Sequence, residues 1–281
     1  MNIRTATDST QSLNGTADIL RFKARTDAVC AVALAHAADV DTSARFPAEA
    51  MAMLKEQHLM GIFVPAELGG EGATMSEAAE ICYALGRACG SAGMIYAMHL
   101  VKVACIVNHG LGIQWQEDVL RRLHTEQLLF ASSTTEGMGG GNVRSSAAAI
   151  VADGSRITLD RDASVISYGA YADGLVTTAR RAGGSDSSDQ VLVVFMKEDY
   201  VMELTGGWDT LGMRGTCSTG FRLKASGLPE QVLPVPYDRI HAQTMTPAAH
   251  LLWSSVWAGI AAAAVQKAEL FVRKAMRGSN G

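Results

Sequence analysis

The sequence predicts an α+β protein with an N-terminal all-α domain, a middle antiparallel β barrel or sandwich, and the first helix of a C-terminal α bundle. Apolar residues recur at helical spacing through the first part of the chain. From Gln127 to about Val235 the helical period gives way to short runs of Val, Ile, Leu and Thr between Gly, Asp and Ser. After Pro247 one apolar helical pattern resumes. We therefore expect domains at 1–127, 128–243 and 244–281, the last one incomplete.

Composition and charge exclude several classes of protein. Of 281 residues, 48% are hydrophobic and 19% charged, which is typical of a folded globular chain. The net charge of -4 gives no electrostatic reason to expect binding to nucleic acid or to an anionic membrane. The polar N-terminus lacks the apolar core of a signal peptide, and the longest apolar stretches are interrupted by His, Lys or Gly. Five scattered cysteines without a C-x-x-C pair indicate reduced thiols. We expect a cytoplasmic protein without a membrane span.

The N-terminal helices carry recognisable start and stop signals. The pattern over Asp18–Val40 predicts the first helix. Pro47 suits the first turn of the next helix, and Gly61 its C-terminal cap. Thr74 and Glu77 stand in capping-box register, which predicts a third helix start.

The following helix is apolar on nearly every face. Ser91 is expected to cap AGMIYAMHLVKVACIVNHG, which should be buried at the centre of the helical domain. His99 lies within it, and two interpretations stay open: a core histidine bonded to backbone, or part of a substrate cavity. A further amphipathic helix is predicted over Ile113–Thr125.

The middle segment carries strand and hairpin signals. The pair Asp153-Gly154 between two alternating runs predicts a β-hairpin. Further strand candidates are SVIS, GLVTTARR, QVLVVFMK and TGFRLKA. Strands this short, without helices between them, favour a small antiparallel barrel or sandwich.

A tract of hydroxyl residues and glycines, LFASSTTEGMGGGNVRSS, follows the first predicted strand. It is neither a Walker A loop, since no Gly-Lys-Ser/Thr follows, nor a dinucleotide fingerprint. A surface turn and a ligand cradle both remain open: hydroxyls can bond a polar ring edge, and glycines let a ligand approach the main chain. The loop WDTLGMRGTCS has the same two interpretations.

Other catalytic patterns are missing from the sequence. The seven histidines show neither H-x-x-x-H nor H-E-x-x-H spacing, so we expect no metal site. No G-x-S-x-G elbow is present, which argues against a serine hydrolase.

Four segments, in order, resemble the acyl-CoA dehydrogenase family. GIFVPAELGGEGATMSEAAEICYALGRACGSAGMIYAMH is similar to that family's N-terminal signature, and FASSTTEGMGGG to its flavin loop. SVIS is similar to its Trp-Ile-Thr strand, and LGMRGTCSTGF to its Gly-x-Arg-x-Ser loop. The resemblance runs from about Thr16 to the end of the chain.

The resemblance implies FAD bound between the β domain and the helices. It implies a set of cofactor-binding residues: Ser132, Ser133, Thr134, Thr135, Gly140, Gly141, Ile166 and Ser167. Thr135 would bond the polar edge of the flavin ring, and Ser167 would stand near its reactive nitrogen. Val165 occupies the position of an aromatic residue that normally covers the flavin.

The reaction that the resemblance implies is α,β-dehydrogenation of an acyl-CoA thioester. The implied substrate-binding residues are Gly141, His99, His250 and Trp253. Leu252 stands at an alternative position for the base, so no residue can be named as the base, which is expected beyond Gly281. The resemblance also implies an electron-transfer flavoprotein as acceptor and a homo-oligomer. Two alternatives remain: a flavin-dependent monooxygenase or oxidase of the same superfamily, and a non-catalytic interaction module.

Overall fold

A computed structural model describes residues 21–136 and 142–278. Five helices come first: α1 (Lys23–Thr42), α2 (Ala48–Glu56), α3 (Met75–Ala88), α4 (Gly90–Gly110) and α5 (Gln114–Glu126). The strands follow: β1 (Phe130–Ser133), β2 (Val151–Asp153), β3 (Arg156–Ile166), β4 (Gly174–Arg180), β5 (Gln190–Met196), β6 (Tyr200–Leu204) and β7 (Thr219–Gly227). The chain then forms α6 (Tyr237–Ile240), a π-helical turn (His241–Met245) and α7 (Thr246–Gly278). The predicted α+β class is confirmed.

The capping box at the start of α3 is confirmed. Glu77 N donates to Thr74 Oγ1 at 3.2 Å, and Thr74 N donates to Glu77 Oε2 at 2.7 Å. The cap predicted at Gly61 is wrong, because α2 ends at Glu56 and His58 makes the left-handed turn with φ +52°. Gly61 instead lies against α5, where a Cβ would come 2.7 Å from His124 Cα.

The cap predicted at Ser91 is also wrong. Helix α4 already begins at Gly90, after an extended Cys89, and Ser91 Oγ accepts a hydrogen bond from Gly215 N at 3.2 Å. The hydroxyl therefore ties α4 to the loop before β7. The burial predicted for α4 is confirmed, since most of its residues are buried.

Two helices of the described chain are long and apolar enough to cross a membrane by length and composition. They are Gly90–Gly110, with 78% of its most apolar window buried inside the fold, and Tyr237–Arg277, with 28% buried. One or two helices of this length and composition are weak evidence for a membrane span. Helix α4 has the length and composition of a membrane-spanning helix because the buried core helix of a globular domain has the same composition.

The strands form two sheets, in the orders β1-β4-β5 and β2-β3-β7-β6. The predicted hairpin is confirmed: Asp153 pairs with Arg156, and Gly154 turns with φ +60°. The expectation of purely antiparallel pairing is wrong, because β1 pairs with β4 in parallel and Ala149 forms an isolated parallel bridge with Arg180. Two parallel strands need a long connection, which here is the chain between residues 133 and 174. The local sequence therefore does not predict that these two strands pair.

Helix α7 packs across α3 at very close range. A Cβ on Gly86 would collide with the carbonyl oxygen of Val256, and a Cβ on Gly259 with that of Tyr83. Two glycines thus let the helix backbones approach. Farther along α7 large apolar side chains are exposed, among them Val265, Leu270, Phe271, Val272 and Met276. The division at residues 127 and 243 stays a prediction.

Candidate functional site

A cavity of about 430 Å³ lies where α4, the ends of β1 and β3, and the α6–α7 region meet. This volume is within the usual range for small-molecule sites, which favour such junctions between structural units. Its described lining is mostly apolar with a few polar groups: Met98, Val101, Lys102, Ser132, Thr134, Thr135, Val143, Val165, Ser167, Tyr237, His241, Met245, Thr246, Ala249, His250 and Trp253.

The end of β1 supplies a wall of hydroxyl groups. Ser132, Thr134 and Thr135, which the resemblance implies as cofactor-binding residues, are half-buried and line the cavity. Ser133 does not: successive side chains of a strand face opposite sides, and Ser133 is fully buried on the other face. Because Ser133 is not among the described lining residues, its place in the predicted cofactor-binding set is corrected, and its Oγ has no hydrogen-bond partner within the described chain.

A β-bulge decides which residues of β3 reach the cavity. The register between β3 and β7 shifts between Ala163 and Ile166, which breaks the in–out alternation. Val165 and Ser167 consequently line the cavity, whereas Ile166 is fully buried behind them. Ile166 is therefore corrected to a core residue.

The hydroxyl of Ser167 is positioned by a hydrogen bond from Ser218. Ser218 Oγ donates to Ser167 Oγ at 2.8 Å, and Thr216 Oγ1 lies 2.7 Å from Ser218 Oγ. The next residue, Tyr168, is fully buried with φ +44° and donates from Oη to Phe130 O at 3.0 Å. This arrangement leaves the Ser167 proton available to a ligand.

Two predicted residues of α7 line the cavity. His250 and Trp253 are one helical turn apart and both contribute to the lining. The Nε1–H of Trp253 is buried without a hydrogen-bond partner in the described chain, so it is a donor that a bound acceptor would satisfy. Leu252 is fully buried in the core.

His99 does not line the cavity. Its ring is fully buried, Nε2 lies 2.9 Å from Met60 O, and Nδ1 accepts from Phe130 N at 3.0 Å. Burial lowers the pKa of His99 to about 4, so the ring is neutral at pH 7. The core interpretation therefore replaces the substrate interpretation, and His99 joins the helices to β1.

Several cavity residues were missed from the sequence. Lys102 on α4 is 5% exposed, and among the described residues its Nζ donates only to Met245 Sδ, at 3.5 Å. Tyr237 Oη donates to the same sulfur at 3.4 Å. Lys102 could have been found as the one charged residue inside an apolar helix. Nothing local marks Tyr237 or the π-helical turn that carries His241 and Met245.

Gly140 and Gly141 lie outside the described residues, and so does Gly137. The described residues on either side of this stretch are tied together by Glu136, whose carboxylate accepts from the backbone N–H groups of Ala147 and Ala148. Arg161 is 1% exposed, and its Nη1 lies 3.2 Å from Oε1 of Glu136. Burial lowers the pKa of Arg161 to about 10 even with Glu136 beside it.

The described cavity lining carries basic groups and no carboxylate. It contains Lys102, His241 and His250 but neither Asp nor Glu. Burial lowers the pKa of His241, and the positive charges of Lys102 and Arg144 lower it further. Within residues 21–136 and 142–278, no group of three His, Cys, Asp or Glu side chains could hold a metal ion.

Comparisons with known proteins agree with this fold. Residues 16–127 match the family model described as "Acyl-CoA dehydrogenase, N-terminal domain". The probable acyl-CoA dehydrogenase YngJ of Bacillus subtilis (strain 168) is 25% identical over 69% of this chain and 51% of its own length. The probable acyl-CoA dehydrogenase fadE25 of Mycobacterium leprae (strain TN) is 33% identical over 42% of this chain and 30% of its own. The family match thus covers the N-terminal helical part of the chain, and the chain spans about half the length of YngJ.

Solved structures share the fold. The crystal structure of FMN-bound TdsC from Paenibacillus sp. A11-2 superposes with a TM-score of 0.78 and 19% identity, over 89% of this chain and 65% of that one. TdsC is described as a dibenzothiophene monooxygenase. At this identity the likeness establishes the fold alone.

Proposed function

We propose that this protein is a flavin-dependent oxidoreductase of the acyl-CoA dehydrogenase type, with FAD as cofactor, that carries out α,β-dehydrogenation of an acyl-CoA thioester. The observation that supports it most directly is the hydroxyl-lined cavity between α4, the β sheets and α7. The match of residues 16–127 to the N-terminal domain of acyl-CoA dehydrogenases and the FMN-bound structure of a protein with the same fold support a flavin as the ligand.

The residues present fit a flavin. Hydroxyls at Ser132, Thr134, Thr135 and Ser167 offer the donors and acceptors that the polar edge of a flavin ring requires. The buried, unpartnered Nε1–H of Trp253 is a further donor whose cost of burial a ligand would remove. The apolar remainder of the lining suits the flat ring system.

Each group has a defined role in this proposal. When bound, the flavin supplies an acceptor for a hydride from the β-carbon. Fixed donors at Ser132, Thr135 and Ser167 favour negative charge near the ring, and the mostly apolar lining strengthens that effect. The base that removes the α-proton stays unassigned, because no described lining residue is a carboxylate. Gly140 and Gly141 are proposed to lie near the cofactor, and Gly141 near the substrate.

The test uses two neighbouring serines as a matched pair. FAD is titrated into the protein and the change in flavin fluorescence gives the affinity. Ser132→Ala removes a cavity hydroxyl and should weaken binding about fivefold, the value of one ordinary hydrogen bond. Ser133→Ala removes a buried hydroxyl without a partner, so it should leave the affinity unchanged. Equal losses in both variants would contradict the placement of the flavin.

The reaction is tested separately from the cofactor. Anaerobic addition of an acyl-CoA to the flavin-loaded protein should bleach the visible absorption of the flavin. Failure to bleach with every acyl-CoA tried would contradict dehydrogenation while leaving flavin binding intact. A colourless protein that gains no flavin on titration would favour the non-catalytic interpretation.

A flavin-dependent monooxygenase is the second candidate. The absence of any carboxylate among the described lining residues favours it, because dehydrogenation needs a base. Oxygen consumption by the protein with reduced flavin, without bleaching by acyl-CoA, would support this alternative. Cytoplasmic location, an electron-transfer flavoprotein as acceptor and a homo-oligomer remain part of the proposal.

A further inference from the structure

Lys102 stands out among the cavity residues because it is a buried lysine without an ionic partner in the described chain. Its side chain lies on the α4 wall, 5% of the residue is exposed, and Nζ forms no ion pair with a described carboxylate. Burial lowers the pKa of Lys102, because an ammonium out of water is unfavourable unless an opposite charge or good hydrogen bonds compensate it. Its one described contact, Met245 Sδ at 3.5 Å, is a weak acceptor.

Two donors converge on that weak acceptor. Lys102 Nζ and Tyr237 Oη both donate to Met245 Sδ, at 3.5 and 3.4 Å. Burial raises the pKa of Tyr237, so its phenol keeps the proton and remains a donor. An ammonium and a phenol around one point form a better site for an anionic oxygen than for a thioether sulfur.

The rest of the cavity is suited to an anion as well. His241 lies near enough to Lys102 for the lysine's charge to affect it, and His250 contributes another imidazole to the lining. No acidic side chain is among the described lining residues to compete for Lys102.

We infer that Lys102, assisted by Tyr237, binds a carboxylate at the far end of the substrate's acyl chain, so that the cavity selects acyl-CoA thioesters of short dicarboxylic acids. This inference rests on the proposed acyl-CoA function. The acyl chain is the part of such a substrate that enters an apolar cavity, since the nucleotide half carries phosphates that require water. The same anion-binding corner discriminates against acyl chains that end in a methyl group, which would leave the ammonium buried and uncompensated.

The experiment compares ligands that differ only at the far end. Isothermal titration calorimetry measures binding of glutaryl-CoA and of pentanoyl-CoA, two thioesters of equal chain length, to the protein. Wild type should bind glutaryl-CoA about tenfold or more tightly, as expected for charge-assisted hydrogen bonds in a buried site. Lys102→Met keeps the length of the side chain and should abolish this preference, and Tyr237→Phe should reduce it.

A second lysine provides the matched control. Lys224 is exposed on β7 and is not part of the cavity, so Lys224→Met should retain the wild-type preference. A purely structural role for Lys102 would change the binding of both thioesters by the same factor, and that result would overturn the inference. Equal affinity of wild type for the two thioesters would overturn it too, while leaving the acyl-CoA function intact.

The free acids separate this inference from the proposed function. If neither thioester binds, the acyl-CoA assignment fails, and titration with glutarate then decides on the anion site alone. Glutarate binding that is lost in Lys102→Met supports a carboxylate site at Lys102. Absence of glutarate binding to wild type, in that case, overturns the site as well.

Discussion

His99 should make the stability of this protein fall as the pH drops below 6.5. Burial lowers the pKa of His99 to about 4 from an ordinary 6.5, so the unfolded chain binds a proton that the folded chain resists. The stabilisation by neutral His99 is therefore complete above pH 6.5 and is lost as the pH falls towards 4. With 1.36 kcal/mol per pKa unit, the loss between pH 7 and pH 5 is about 2 kcal/mol.

The assay compares urea denaturation of wild type and His99→Gln at both pH values. The glutamine lacks the titrating ring, so the variant should lose about 2 kcal/mol less than wild type on acidification, although it is less stable at pH 7. His58→Gln removes an exposed histidine and should retain the wild-type pH dependence. Parallel stability curves for wild type and His99→Gln would refute the reasoning.

The consequence reaches the candidate site. His99 bonds Met60 O on one side and Phe130 N on the other, so it links the helical layer to the strand that carries Ser132. A protonated His99 ring carries a hydrogen on Nδ1 and cannot accept a hydrogen bond from Phe130 N. Protonation therefore breaks the bond between His99 and the first residue of β1. We therefore expect acid to weaken flavin binding before it unfolds the whole chain.

Three further substitutions test particular contacts, each by urea denaturation. Gly259→Ala should destabilise by about 1–3 kcal/mol, because its Cβ would collide with the carbonyl oxygen of Tyr83, although alanine normally favours a helix. Glu136→Gln should cost about 3–5 kcal/mol, because it leaves Arg161 buried without its counter-charge at 3.2 Å. Thr74→Ala should cost about 1 kcal/mol through loss of the capping box of α3.

Matched controls separate these effects from the chemistry of the substitution. Gly183→Ala places the same methyl group where nothing lies within 4 Å, so it should change stability little. Glu198→Gln removes a carboxylate whose side chain is 65% exposed, and should be nearly neutral. A loss in either control as large as in its test variant would contradict the assigned contact.

Local signals in the sequence were enough for several elements. The capping box at Thr74 and Glu77 and the hairpin turn at Gly154 depend on contacts between residues a few positions apart, so the sequence alone predicts them. The order of helical, β and helical segments follows from hydrophobic periodicity, and so does the burial of α4. The segments that carry the resemblance contain several of the described cavity residues, among them Ser132, Thr135 and Ser167.

What the tertiary structure decided is which side chains reach the cavity. A bulge against β7 turns Val165 inward to the cavity and buries Ile166, and strand alternation separates Ser132 from Ser133. The parallel pairing of β1 with β4 could not be predicted either. Lys102 is only an interruption in an apolar helix until α6 and the π-helical turn bring Tyr237 and Met245 against it. Such contacts join residues far apart in the chain, where local propensity carries no information, and so packing alone determines them.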